Sequence, residues 1–177
     1  MYFRGKTGQK MLVLSEDIAG PNYLSTLDET LTTEEVVAIA AHELGHWKYC
    51  HYCINLVVNQ LCLGLEMFSM FWLLKYQPLY TAFGFDDTPT SIGLTLLRYS
   101  CVTDMCRFFV RVVNRSTEFS ADRHVKVLRK HRHLKSAMIK IEKNDGLFPV
   151  QDWLYSLCCN FQPTCYERIK AINNYIP

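Results

Sequence analysis

A surplus of charge of either sign is missing from this chain. Its 177 residues carry 19 Lys and Arg against 17 Asp and Glu, a formal net charge of +2, and no basic stripe interleaved with aromatics runs along it. Nucleic acid is therefore not an expected partner. A cysteine framework is missing too. Of the eight cysteines, Cys158 and Cys159 are adjacent and the others follow no regular spacing. The thiols read as reduced, in a cytosolic or membrane setting. The opening Met1-Tyr2-Phe3-Arg4 lacks the charged stub and apolar run of a secretory leader. Internal repeats and low-complexity tracts are absent, and the length suits one domain or a fragment of a larger one.

What is abundant is apolar surface, with hydrophobic residues at 49% and charged residues at 20%. Residues 1–15 read as a short hairpin: Lys10-Met11-Leu12-Val13-Leu14 has strand composition and Thr7-Gly8 turn chemistry. Residues 16–31 read as loop, broken by Gly20-Pro21-Asn22. Thr32 followed three residues later by Glu35 predicts a capping box and a helix start. Val36 to Ala41 is apolar on every side, which predicts a helix buried all round. The run 54–74 would reach roughly 31 Å as a helix, about the thickness of a bilayer core. Asn55, Asn59 and Glu66 interrupt it within an arc of about 40°, a polar stripe suited to a protein face or a wet cavity. The competing reading is a long buried helix of a soluble protein. Residues 75–91, with Pro78, Gly84, Asp86, Asp87 and Pro89, read as a connection. A second apolar segment, 92–113, carries Arg98, Asp104, Arg107 and Arg111 and is the weaker membrane candidate; the last three share an arc of roughly 60° and could pair.

The chemistry concentrates in His42-Glu43-Leu44-Gly45-His46, an H-E-x-x-H pentapeptide in the helix that Thr32 opens. Residues four apart lie one above the other on a helix, so both imidazoles can reach one zinc ion. Glu43, beside the first ligand, is placed to act as general base. Such a site needs a third protein ligand. Glu118-Phe119-Ser120-Ala121-Asp122 supplies a candidate at what reads as the start of a further helix. Glu118 could bind zinc, and Asp122, one turn on, could accept a hydrogen bond from the other nitrogen of a ligating histidine. The bland alternative is a solvated helix face, since Arg123, Lys126, Arg129 and Lys130 follow. His51 falls about 180° from His42 on a regular helix and should not join the same metal. His131 and His133 lie among Arg and Lys and read as exposed, and His124 as one more polar position. Cys50-His51-Tyr52-Cys53 fits C-x-x-C, but with no strand before it the cysteines read as small packing residues.

Several separated stretches resemble one family in order: Ala41 to Lys48 around the histidine motif, Ala82-Phe83-Gly84-Phe85, Glu118 to Asp122, Gly146-Leu147-Phe148-Pro149-Val150, and Asp152-Trp153-Leu154. The family is CAAX prenyl protease 1, the Ste24-type integral membrane zinc metalloproteases of peptidase family M48, and the resemblance covers nearly all 177 residues. It implies a mainly α, membrane-embedded metalloprotease of the gluzincin type, a seven-helix barrel around a water-filled chamber. This chain would contribute the C-terminal catalytic part, with an N-terminal β-hairpin and two transmembrane helices, 54–74 and 92–113. One zinc ion is implied on His42, His46 and Glu118, with Glu43 as catalytic base and Asp122 orienting a ligand. Arg115 matches a family position and is a candidate for polarising the site, and Arg168, kept from the family, is a further candidate to support the ligands or the transition state. The implied activity is removal of the last three residues of prenylated (farnesylated) CAAX proteins at the lipid bilayer, in a multi-pass protein of the endoplasmic reticulum and inner nuclear membranes.

Two departures shape these expectations. The family has about five spanning helices before the region where this chain opens, within the expected substrate-aligning edge strand. A His-Pro pair of the family stands here as Gln162-Pro163. Glutamine can donate a hydrogen bond to an oxyanion but carries no charge or transferable proton, a loss of the order of ~10²-fold in turnover. The alternative expectation is therefore a truncated, catalytically weak or inactive paralogue that binds zinc and membrane or prenylated proteins. A soluble secreted zinc protease fits less well, given the opening residues and the near-spanning apolar run.

Overall fold

A computed structural model describes residues 2–6, 9–13, 31–84, 91–144 and 150–175, with backbone alone for the strands and for residues 91–98 and 144. The Thr7-Gly8 turn, the loop through Gly20-Pro21-Asn22, residues Phe85 to Pro89, the Arg98 side chain and Gly146 to Pro149 lie outside the described residues. Strands β1 (Tyr2–Lys6) and β2 (Gln9–Val13) pair antiparallel, with Tyr2 opposite Val13 and Lys6 opposite Gln9. Seven helices follow among the described residues: α1 (Thr33–Lys48), α2 (His51–Lys75), α3 (Gln77–Ala82), α4 (Ser91–Val127), α5 (His131–Asn144), α6 (Trp153–Cys159) and α7 (Cys165–Asn174). The chain divides into two compact units, Met1–Tyr52 with Arg115–Pro177, and Cys53–Asn114.

In the first unit, α1 begins at the expected cap. The Thr32 hydroxyl accepts from the Glu35 amide, and the Glu35 carboxylate accepts from the Thr32 amide at 2.8 Å. The same carboxylate receives the Ser136 hydroxyl at 2.5 Å and the Lys140 ammonium at 2.9 Å, so one buried acid both starts α1 and ties it to α5. Around this tie Ala38, Ala41, Val125, Leu134 and Ile172 form a buried cluster, with Met138 packed against it. Small residues on α1 let its neighbours approach closely. The helix is not buried all round, however. Val37, Leu44 and Trp47 are each about 40% exposed, because within this unit α4 and α5 cover one face only. Asp152 caps α6 by accepting from the Leu154 and Tyr155 amides, and Thr164 with Glu167 forms a second capping box at the start of α7.

The second unit holds most of α2, all of α3 and the first part of α4. Among the described residues α2 is the one helix long and apolar enough to cross a membrane. It is not a buried core helix: Leu61 and Phe68 are each 68% exposed and Phe71 59%. Part of its polar stripe faces protein, where Tyr99 donates to the Glu66 carboxylate at 3.3 Å. The segment 75–91 is not wholly a connection, because Pro78, which fits a first helical turn, opens the six-residue α3. The buried Tyr80 on α3 donates to the Leu73 carbonyl at 2.6 Å and so satisfies an end of α2. Asp104 pairs with Arg107 at 3.3 Å on the exposed surface.

The second apolar segment does not stop before Glu118. α4 runs 37 residues without a break, so Glu118 sits deep inside a helix and does not open a new one. Asn114, Ser116 and Thr117 look like cap residues locally, but no glycine or proline follows them to end the helix. None of the eight cysteines is in a disulfide. Cys50 and Cys53 are exposed, against the expectation of packing residues, and His131 is half-buried where an exposed ring was expected.

Candidate metal centre

His42 and His46 lie one turn apart on α1, with Nε2 atoms 3.1 Å from each other. Gly45 faces α4 between them. A Cβ built there would sit 3.1 Å from the Ala121 Cα and 3.3 Å from its carbonyl oxygen, so the missing side chain is what lets α4 come this close. The approach brings Glu118, one turn before Ala121, onto both rings. Its Oε2 lies 3.4 Å from His42 Nε2 and its Oε1 3.4 Å from His46 Nε2. Among the described residues these three form the cluster able to hold a metal ion. Ligands about 2.0–2.1 Å from a tetrahedral zinc stand about 3.3–3.4 Å apart. The three donor separations are close to that, and two imidazole nitrogens with one carboxylate are a donor set that zinc accepts, so the residues fit the group.

Behind the cluster stands a second layer of charge. The Asp122 carboxylate, 1% exposed, lies 2.9 Å from His42 Nδ1. Arg168 of α7 grips the same carboxylate with two nitrogens, at 2.8 and 2.6 Å, and places a third 3.5 Å from Glu118. Burial pushes the Glu118 carboxyl up, but hydrogen bonds from His42 and His46 and the Arg168 charge outweigh it and hold the group well below the usual carboxylate range. Asp122 behaves alike: burial raises it, and Arg168 and His42 bring it below its ordinary value. Burial lowers His42, while Asp122 and Glu118 more than compensate and raise it. The site is thus two imidazoles and two ionised carboxylates backed by one guanidinium.

Arg115 goes elsewhere. Its guanidinium pairs with Glu167 at 2.8 Å and donates to the Ser156 hydroxyl at 3.0 Å, so it joins α4 to α6 and α7. Glu167 is also the third-position partner of Thr164 in the capping box of α7, so this tie holds the first turn of the helix that carries Arg168. Gln162 is exposed and lines a cavity of about 520 Å³ together with Arg168, Cys165, Glu142 and Met138. Glu43 is half-buried on α1 beside His42. One residue at the cluster escaped the sequence reading. His51 is 4% exposed, and its Nδ1 lies 3.1 Å from His46 Nδ1. His51 stays outside the three-residue cluster, in line with the sequence reading, but the helical-wheel reason does not hold, because α1 ends at Lys48 and the chain turns through Cys50 at φ +52° before α2 begins.

Residues 23–176 match peptidase family M48. The CAAX prenyl protease 1 homolog of Mus musculus is 39% identical over 145 residues, 80% of this chain and 30% of that protein. The Homo sapiens homolog is 39% identical over 143 residues, 78% of this chain and 30% of its own length. The crystal structure of S. mikatae Ste24p is similar with a TM-score of 0.72 at 23% identity, over 97% of this chain and 41% of that one, a likeness of fold. The chain thus spans about 30% of the length of these mammalian relatives. With the match running from before α1 to the end of α7 and the candidate metal cluster inside it, the chain belongs to peptidase family M48.

Proposed function

We propose that this chain is the catalytic part of a zinc-dependent membrane endopeptidase that removes the C-terminal tripeptide of prenylated CAAX proteins, with the endoplasmic reticulum membrane as its site of action. The observation that carries the reading is the His42, His46 and Glu118 cluster, backed by Asp122 and Arg168, in a chain similar to proteins named CAAX prenyl protease 1 homolog. His42, His46 and Glu118 would hold the zinc, which supplies the Lewis acidity that makes water nucleophilic near neutral pH and polarises the scissile carbonyl. Glu43 takes the proton of the attacking water and delivers it to the leaving amine. Asp122 fixes His42 as the tautomer protonated on Nδ1, leaving Nε2 free to ligate, and Arg168 holds Asp122 ionised. Gln162 is the candidate amide donor to the developing oxyanion. The paired strands β1 and β2 are the candidate edge on which an extended substrate aligns, and α2 and the 92–113 part of α4 are the candidate lipid-spanning segments.

The test is zinc stoichiometry together with cleavage of a farnesylated CAAX peptide, on detergent-purified protein, against Glu43→Gln. The expected result is one zinc in both proteins and a loss of about 10²–10⁴-fold in turnover in the variant. Cleavage retained by Glu43→Gln would sink the mechanism. Zinc without cleavage in the unaltered chain would favour a metal-binding, catalytically inactive role.

A further inference from the structure

Each ligating histidine has two ring nitrogens, and the one turned away from the metal carries a proton that needs an acceptor. For His42 that acceptor is Asp122. For His46, among the described residues, no carboxylate is in the corresponding place. Its Nε2 faces His42 and Glu118, and its Nδ1 faces His51 Nδ1 at 3.1 Å, with the two rings 81° apart and their centroids separated by 5.0 Å. Two facing nitrogens at that distance share one hydrogen. If His46 ligates through Nε2, its Nδ1 is the donor, and His51 must present a lone pair on Nδ1 with its own proton on Nε2.

The surroundings hold His51 in that pose. The chain reverses after α1 at Cys50, a non-glycine residue at φ +52°, a left-handed conformation that L side chains rarely adopt. Strain of this kind persists where the neighbouring structure over-determines it. The turn is closed by the Tyr49 amide donating to the Gly45 carbonyl and the Cys50 amide to the Trp47 carbonyl, both at 3.1 Å. The Tyr49 ring then stacks on His51 at 5.7 Å and 26°. His51 is 4% exposed, so bulk water does not compete freely for its contact with His46.

We propose that His51 is the positioning residue for His46: it accepts the Nδ1 proton of that ligand, fixes its tautomer and ring plane, and so completes a support in which one ligand leans on a carboxylate and the other on a neutral imidazole. The inference rests on the metal-site reading above and goes beyond it in assigning a role outside the H-E-x-x-H motif.

Asn and Leu have nearly the same shape, but only Asn offers an acceptor, so His51→Asn and His51→Leu isolate the hydrogen bond. Zinc affinity would be measured by competition with a chromophoric chelator on the full chain in detergent, alongside the visible spectrum of the cobalt(II) form. The expected result is a 10–100-fold loss of zinc affinity and an altered cobalt spectrum for His51→Leu, with His51→Asn within a few-fold of the unaltered chain. Equal affinities for the two variants, whether both unchanged or both reduced alike, would overturn the proposal. His46→Ala separates the two levels. Loss of stoichiometric zinc there upholds the site itself, whereas unchanged zinc binding would remove the site and the proposal with it.

Discussion

The two compact units bury opposite materials. In residues 31–52 and 115–175 the buried set includes small apolar residues, Ala38, Ala41, Ala121 and Ala137, and a few larger ones, Val125, Leu134 and Ile172, interleaved with ionisable Glu35, His42, Arg115, Glu118 and Asp122. In residues 53–84 and 99–114 little is buried beyond Leu73, Tyr80, Cys106 and Asn114, while large apolar side chains along α2 stay exposed. Small residues permit close helix approach, and close approach is what lets buried charges reach partners and offset their desolvation. An apolar helix with its side chains outward needs no such pairing and is suited to a lipid solvent. Buried charge marks the region that holds the candidate metal cluster, and exposed apolar length marks the region proposed to meet the membrane.

The sharpest way to break this contrast is to unpair a buried charge. Asp122→Ala leaves Arg168 facing Glu118 without its main partner and His42 without its acceptor, and should cost about 3–5 kcal/mol of stability. Thermal or denaturant unfolding of metal-free protein measures it; a change under 1 kcal/mol would mean that the pair contributes nothing net. On the other unit, Leu61→Arg places a charge midway along α2 and should reduce membrane insertion by about 2.5–3.5 kcal/mol while leaving zinc affinity unchanged. Insertion as efficient as that of the unaltered chain would refute the lipid-facing reading of α2.

Gly45→Ala probes the close approach itself. Its new methyl meets backbone at 3.1–3.3 Å, so α1 and α4 must part by a few tenths of an ångström. The expected cost is about 1–3 kcal/mol with weaker zinc binding, and calorimetry with and without metal separates the two. The smallest effect belongs to Glu35, away from the metal. Burial raises its carboxyl, and Ser136, the Thr32 amide and Lys140 together bring it below its ordinary value. A depressed folded value contributes stability that is fully present above the ordinary carboxylate range and fades as pH falls through the folded value. Glu35→Gln should therefore cost about 1–2 kcal/mol near neutral pH and progressively less below pH ~4. A variant deficit that stays constant into acid would show that the carboxylate charge is not the source.

Local patterns were read well because they depend on neighbours in the chain. The capping box at Thr32 and Glu35 and the shared face of His42 and His46 follow from helical periodicity, which is set within one or two turns. The need for a third ligand pointed to Glu118 and Asp122, and the family resemblance added Arg168, residues that lie 72 to 126 positions from the histidines. The misreadings share a cause. Extending one regular helix through Tyr49 and Cys50 put His51 on the wrong side, and reading Glu118 as the start of a further helix split a continuous α4. Arg115 and Arg168 looked equivalent on paper, yet one reaches Glu167 and Ser156 and the other Asp122.

By itself, then, the sequence determined where the helix carrying both histidines begins, which two of its residues share a face, and which helix is apolar enough to span a bilayer, because each is a property of consecutive residues. Only the tertiary structure decided that the absent side chain at Gly45 admits α4, that Glu118 faces both histidines, and that His51 lies behind His46. Those outcomes depend on how closely separate segments can pack, and packing is decided by sterics and desolvation between residues far apart in the chain.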